Sequence, residues 1–372
     1  MPDLTERLYQ KSVERHIPLS VQIDLTMLCN ELCVHCYRVI EQRPELTTGE
    51  VKEILAELAR AGTLYVTFSG GEVFLRQDLF ELIEYAKRLR FDVGLKSNAL
   101  LITRAKAERL RALGVRQVDV SVYSADPAVH DWVTKITGSF ERSIQGITWL
   151  KDAGITVKLS SPLMKQNVAT YPEVRALAER LGARCSFDPM ITAKNNGDTS
   201  SVTLRIESKD LLQVLQDPAL YPELGKWAGP AASSARADLD EIPCGASHNA
   251  CYISPYGDVS PCVAMPIVCG NVREEPFEEI WRRSAKMREV RSIRIRNLRA
   301  CSTCAASQLC ARCPGQALVE HGDLYGPSIA ACEHTLVAAR LSGSTATLAG
   351  LLRVTASPSD AVPEECAVSA AA

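Results

Sequence analysis

No stretch of this 372-residue chain is basic enough to grip nucleic acid. Its 42 lysines and arginines are interspersed with 44 acids, for a net charge of −2. No apolar run approaches the roughly 18–20 residues of a membrane-spanning helix. The opening MPDLTERLYQKSVERH is polar and lacks the apolar core of a secretion signal. The simplest reading is a cytosolic protein with neither a nucleic-acid nor a membrane partner. One further absence is local. CNELCVHCY, from Cys29 to Tyr37, holds Cys29, Cys33 and Cys36, and no fourth cysteine follows. A structural zinc site usually takes four ligands, and so does an ordinary iron–sulfur site.

Hydrophobic residues make up 46% of the chain, enough for a sizeable core, and the length suggests two domains. There are 14 cysteines: three at 29–36, nine between Cys244 and Cys332, and Cys185 and Cys366 alone. In a cytosolic chain of this size that distribution argues for metal sites rather than a disulfide framework.

From residue 20 the pattern alternates. Strands are expected at 20–25, 64–68, 92–97, 117–123, 155–163 and 184–190, separated by helices at 47–62, 77–90, 103–114, 139–154 and 170–182. Thr47 or Thr48 is a candidate N-cap for the first of these helices, with Gly62 as its stop. Six βα units with apolar strands argue for a parallel sheet covered by helices, an incomplete (β/α)6 TIM-like barrel whose active residues follow the strand C-termini. The expected organisation is an N-terminal segment 1–19, a barrel over 20–200, a linker over 201–241, a cysteine-rich domain over 242–335 and a disordered tail over 336–372.

The C-x3-C-x2-C spacing of Cys29, Cys33 and Cys36, with Tyr37 next, resembles the signature of the radical S-adenosylmethionine (radical SAM) enzymes. The resemblance implies a [4Fe–4S] cluster on three thiolates, with the fourth iron open for SAM. Reductive cleavage of SAM then gives a 5′-deoxyadenosyl radical. A zinc knuckle using His35 as fourth ligand is the plainer alternative. The other motifs come in strand order. Gly70, Gly71 and Glu72 follow the second strand, and in the resembled family this element binds the methionine amino group of SAM. Ser97 and Asn98 stand where the family often has Thr-Asn-Gly, with Ala99 in place of the glycine. Ser121 matches a serine that often hydrogen-bonds SAM. His130 and Asp131 read as a structural cap. Asp188, ending the sixth strand, is a candidate substrate contact or proton acceptor, with a loop-capping aspartate as the equal alternative.

The second cysteine field resembles the SPASM extension of many such enzymes, which holds two auxiliary [4Fe–4S] clusters. Carried over, Cys244, Cys251, Cys262 and Cys313 hold the first, and Cys301, Cys304, Cys310 and Cys332 the second. The pair Cys310/Cys313 is C-x2-C where better-known members have C-x3-C, which leaves the allocation of these two open. Cys269 is extra, and a buried free thiol is its plain reading. Two zinc sites would use the same eight residues.

The resemblance implies maturation of a ribosomally made peptide, by cross-linking or oxidation. The implied partners are a precursor peptide, a separate recognition protein or leader, and a ferredoxin or flavodoxin electron donor. Modification of a tetrapyrrole side chain is the rival reaction, and a non-catalytic zinc scaffold the rival of another class.

Overall fold

The computed structural model describes residues 4–221, 238–304, 306–310 and 312–341. After α1 (Leu4–Glu14) come β1 (Ser20–Thr26), α2 (Thr48–Ala61), β2 (Tyr65–Gly70), α3 (Leu79–Arg88), β3 (Asp92–Ser97), α4 (Arg104–Ala112) and β4 (Gln117–Ser121). The run continues with α5 (Pro127–Thr134), α6 (Ser139–Asp152), β5 (Thr156–Pro162), α7 (Tyr171–Arg180) and β6 (Arg184–Asp188). The six expected βα units are present, with ends shifted by one to a few residues. The local reasons are visible at α2. Thr47 Oγ1 accepts from the Glu50 N–H, the Glu50 carboxylate accepts from the Thr47 N–H at 2.7 Å, and Gly62 ends the helix at φ +91°.

Strands β1 to β6 pair in parallel and in chain order. Alternation divides each strand between two faces. Val21, Ile23, Phe68, Leu95, Val120 and Leu159 are fully or almost fully buried in one apolar cluster with Leu55 and Leu58 of α2 and Leu82 of α3. The opposite face is polar. Register places Lys96, Asp119, Lys158 and Arg184 side by side across four strands, with Ser121, Ser160 and Ser186 one layer further along.

The sheet does not stop at six strands. β7 (Ala250–Ile253) pairs in parallel with β1, Ser20 opposite Ala250. β8 (Asp258–Ser260) and β9 (Gly270–Asn271) extend it antiparallel. Residues 245–292, including α9 (Phe277–Arg283) and α10 (Ala285–Ser292), therefore form one compact unit with the chain up to Asp188. A six-strand sheet would leave β1 with a bare backbone edge, and β7 covers it.

A second unit contains Pro189–Ala193, Gly197–Cys244 and the chain from Ile293. Its helices are α8 (Ser208–Gln216), α11 (Arg299–Ser302), α12 (Pro314–His321) and α13 (Ile329–Leu341). The expected linker over 201–241 is thus partly helical: Leu211 and Leu215 of α8 pack on Val337 and Ala338 of α13. The expected tail from 336 begins inside α13, and its remainder, 342–372, lies outside the described residues, as does 222–237 of the linker.

Candidate iron–sulfur and SAM site

The cysteine triplet occupies the loop after β1, at the C-terminal edge of the sheet. Backbone bonds hold this loop on two sides. The Gly71 and Glu72 N–H groups donate to the carbonyls of Thr26 (2.7 Å) and Leu28 (2.8 Å). Leu32 and Val34 donate to Thr134 and Val133 at the end of α5, both at 3.0 Å. The two glycines are required by this approach. A Cβ on Gly71 would lie 1.9 Å from the Leu28 carbonyl oxygen. One on Gly70, at φ +123°, would lie 2.3 Å from that of Thr26. The backbone they admit so closely is the cysteine loop itself.

Glu72 is fully buried. Its carboxylate accepts from Ser97 Oγ (2.9 and 3.1 Å), the Asn98 N–H (2.8 Å) and the Phe74 N–H (3.1 Å). The Ser97 hydroxyl also accepts from the Ala99 N–H at 2.9 Å. Both side chains are therefore engaged within the protein. Burial pushes the Glu72 carboxyl up, while hydrogen bonds from Asn98, Phe74 and Ser97 and the Lys106 charge oppose that shift. Asn98 reaches the cysteine loop. Its amide donates to Asn30 Oδ1 at 2.7 Å, lies 4.0 Å from Cys29 Sγ, and its oxygen accepts from the Leu100 N–H. Ala99 adopts φ +66°, the left-handed backbone that the family's glycine takes freely.

Each sulfur of the triplet has a donor beside it. Arg38 Nε donates to Cys36 Sγ at 3.1 Å, and the Tyr123 hydroxyl is 3.5 Å from Cys33 Sγ. The Glu31 N–H faces Cys29, and the Arg38 charge acts on all three thiols. Donors aimed at sulfur are what a cluster-bearing thiolate uses. Burial pushes the Cys29 and Cys33 thiols up, with Glu31 adding to the shift at Cys33, so metal loading must displace their protons. Among the described residues no three His, Cys, Asp or Glu side chains gather as one bound ion would require. A four-iron cubane presents separate corners and takes ligands that stand apart.

Ser121 ends β4, and its hydroxyl interacts with that of Tyr123. Tyr37 lies beside Gln22 and Asp24; burial, then the Asp24 charge, pushes its phenol up. Asp24 is itself fully buried, bonded by Gln22 (3.0 Å) and the Tyr252 hydroxyl (2.9 Å). Asp131 accepts from the Gly138 N–H, Ser139 Oγ and the Phe140 N–H, holding the start of α6 as its sequence position suggests. Asp188 ends β6 exposed, its carbonyl accepting from the Leu163 N–H at 2.8 Å. Sequence reasoning passed over Glu31, Arg38 and Tyr123. Only their closeness in the chain to Cys29, Tyr37 and Ser121 hinted at them.

In the second unit Cys301, Cys304 and Cys310 interact electrostatically, and Thr335 hydrogen-bonds Cys310. Cys313 opens α12 and Cys332 lies on α13. Arg312 is 9% exposed and faces Cys301, with Nε and Nη1 lacking any oxygen or nitrogen partner. A buried cation with free donors among thiols fits an anionic cluster. Of the first auxiliary set, Cys251 and Cys262 belong to the first unit, and Cys244 and Cys313 to the second. Cys269 is buried, and its thiol donates to the Ile267 carbonyl at 3.4 Å.

Comparison with known proteins identifies this arrangement. The chain belongs to the radical SAM superfamily, whose model matches residues 23–178. An iron–sulfur cluster-binding SPASM domain matches residues 244–314. An AdoMet-dependent heme synthase of Methanosarcina barkeri is 30% identical over 82% of this chain and 94% of its own length. The mycofactocin maturase of Mycolicibacterium smegmatis is 30% identical over 79% and 77%. The crystal structure of Streptococcus suis SuiB bound to precursor peptide SuiA has the same fold, at TM-score 0.68 and 19% identity over 87% of this chain and 79% of that one. The protein is thus an enzyme whose cofactors are SAM and iron–sulfur clusters. Family membership sets aside the non-catalytic zinc scaffold. No helix among the described residues is long and apolar enough to cross a membrane.

Proposed function

We propose that this enzyme matures a ribosomally made peptide, abstracting hydrogen from it to form a cross-link or an oxidised residue. When bound, the cluster and SAM supply the 5′-deoxyadenosyl radical for that abstraction. Cys29, Cys33 and Cys36 would hold the SAM-binding cluster, Cys244, Cys251, Cys262 and Cys313 one auxiliary cluster, and Cys301, Cys304, Cys310 and Cys332 the other. The Gly70–Gly71–Glu72 backbone, Asn98, Ser121 and Tyr37 would orient SAM. Glu72 and Ser97 keep that cradle in shape.

The observation that carries the peptide reading is β6. Among the described residues it pairs with β5 alone, and Arg184, Ser186 and Asp188 along it are exposed. An extended peptide can add to such an edge by main-chain hydrogen bonds. Asp188 would then stand beside it to contact the substrate or take its proton. The mycofactocin maturase and the SuiB complex support the same class. A precursor peptide, a separate recognition protein and a ferredoxin or flavodoxin complete the proposed set of partners, in the cytoplasm.

Anaerobic incubation with candidate precursor peptides tests the reading by mass spectrometry. The expected result is a mass change in the peptide, matched by stoichiometric 5′-deoxyadenosine. Turnover of a tetrapyrrole, with none on any peptide, would overturn it. That second reading is favoured by one observation, the match to 94% of the length of a heme synthase.

A further inference from the structure

Ten large apolar side chains are exposed among the described residues. Leu28, Leu32 and Ile40 lie in the cysteine loop, and Leu75 and Trp132 in segments adjoining it. Leu28 is 61% and Leu32 73% exposed, though each neighbours a cysteine of the triplet. The bonds from Leu32 and Val34 to Thr134 and Val133 bring the end of α5 alongside. Trp132 is therefore close by, with the Lys135 ammonium 4.2 Å from its ring centroid. Half-buried Arg38 and exposed Lys135 and Arg142 border this face, against exposed Glu141 and, beside Ile40, exposed Glu41, which pairs with Arg43. Asp131 is committed to its three donors, and Glu31 is 2% exposed and turned inward.

We infer that Leu28, Leu32, Trp132 and Lys135 form the docking face for an acidic one-electron carrier protein. The inference rests on Cys29, Cys33 and Cys36 holding the SAM-binding cluster. Reductive cleavage takes one electron per SAM. The carrier gives it up and the cluster receives it, with no bond made and no proton moved. Electron tunnelling falls steeply with distance, and a protein seated on Leu28 and Leu32 touches the residues next to two ligands. A face of two leucines and a tryptophan suits the brief, low-area contacts of electron-transfer partners. Its border is basic, which draws an acidic partner in and makes the encounter sensitive to salt.

The probe is reduced flavodoxin, set against titanium(III) citrate, which needs no docking. Iron-loaded enzyme carrying Leu32→Glu with Lys135→Glu, or Lys135→Glu alone should the loop variant lose iron, is reduced without substrate and followed by cluster absorbance. Flavodoxin should reduce the double variant roughly tenfold or more slowly than wild type, with the salt dependence gone. Titanium(III) should reduce both alike. Titration into ¹⁵N-labelled flavodoxin should show weakened binding in parallel. Equal flavodoxin rates and affinities for wild type and variants would overturn the docking face. So would unchanged flavodoxin reduction with impaired peptide turnover, which would assign the face to substrate. A Cys29→Ala variant that retains all the iron of the wild type would instead overturn the cluster assignment beneath it.

Discussion

Cys29, Cys33 and Cys36 sit in a loop with almost no regular structure, whereas Cys301, Cys304, Cys310 and Cys332 sit on and between short helices. The loop is rigid for another reason: its backbone is tied to Gly71, Glu72 and α5, and its sulfurs already face donors. In the second group Cys301 and Cys310 lie by Arg312, a buried cation whose Nε and Nη1 have no oxygen or nitrogen partner. The first is a cradle assembled by the sheet before any metal arrives. The second is incomplete as protein alone and gains its electrostatic balance from what it binds.

The sharpest way to break this contrast is to remove one ligand from each group. Cys29→Ala should lower 5′-deoxyadenosine formation to background and remove about four of about 12 iron atoms per chain. Cys301→Ala should remove a similar amount of iron, yet leave substrate-free SAM cleavage measurable. Equal loss of cleavage in both would erase the distinction. Chelation should also lower the melting temperature through the second group more than the first, as proteolysis of the metal-free protein would show.

Next in size is Glu72→Gln. It puts an amide among donors that need an acceptor, at a cost of about 2–3 kcal/mol. SAM affinity, by equilibrium dialysis, should fall while auxiliary iron is retained. Wild-type affinity would show that the carboxylate is dispensable to the cradle.

His130 sharpens the comparison through pH. It is fully buried, its Nδ1 accepts from the Tyr123 N–H at 3.3 Å, and burial pushes its imidazole down to about 4. The unfolded chain binds that proton near pH 6.5 and the folded one resists it. Stability from neutral His130 is therefore present above about pH 6.5 and is lost as pH falls toward 4, by at most about 3 kcal/mol. Urea unfolding of wild type and His130→Gln should converge in that window. A constant difference would remove His130 from the acid response.

The smallest effect concerns Ala99. Ala99→Gly relieves the positive φ and should stabilise the protein by up to about 1 kcal/mol, net of the greater freedom of an unfolded glycine. A lower melting temperature would mean that the methyl group's burial outweighs the strain.

The six βα units were legible because each carries its own period and stop signals, as the Thr47–Glu50 box and Gly62 show. The cysteine spacing and the Gly70–Glu72 element were legible because they are contiguous. The pairing of β7 with β1 was not, since no local pattern records a partner so distant in sequence. Nor could the sequence say that Glu72 and Ser97 serve each other. A carboxylate looks free until the amide that claims it is in place. Helix α13 escaped notice because its alanines blur any apolar stripe.

The same β1–β7 pairing bears on synthesis. Ser20 leaves the ribosome some 230 residues before Ala250, roughly ten to fifty seconds at about 5–20 residues per second. Throughout that interval a strand rich in Val, Ile and Leu has one edge without its final neighbour. The nascent barrel must survive as an aggregation-prone intermediate, or wait in a chaperone's keeping, until the hairpin closes it.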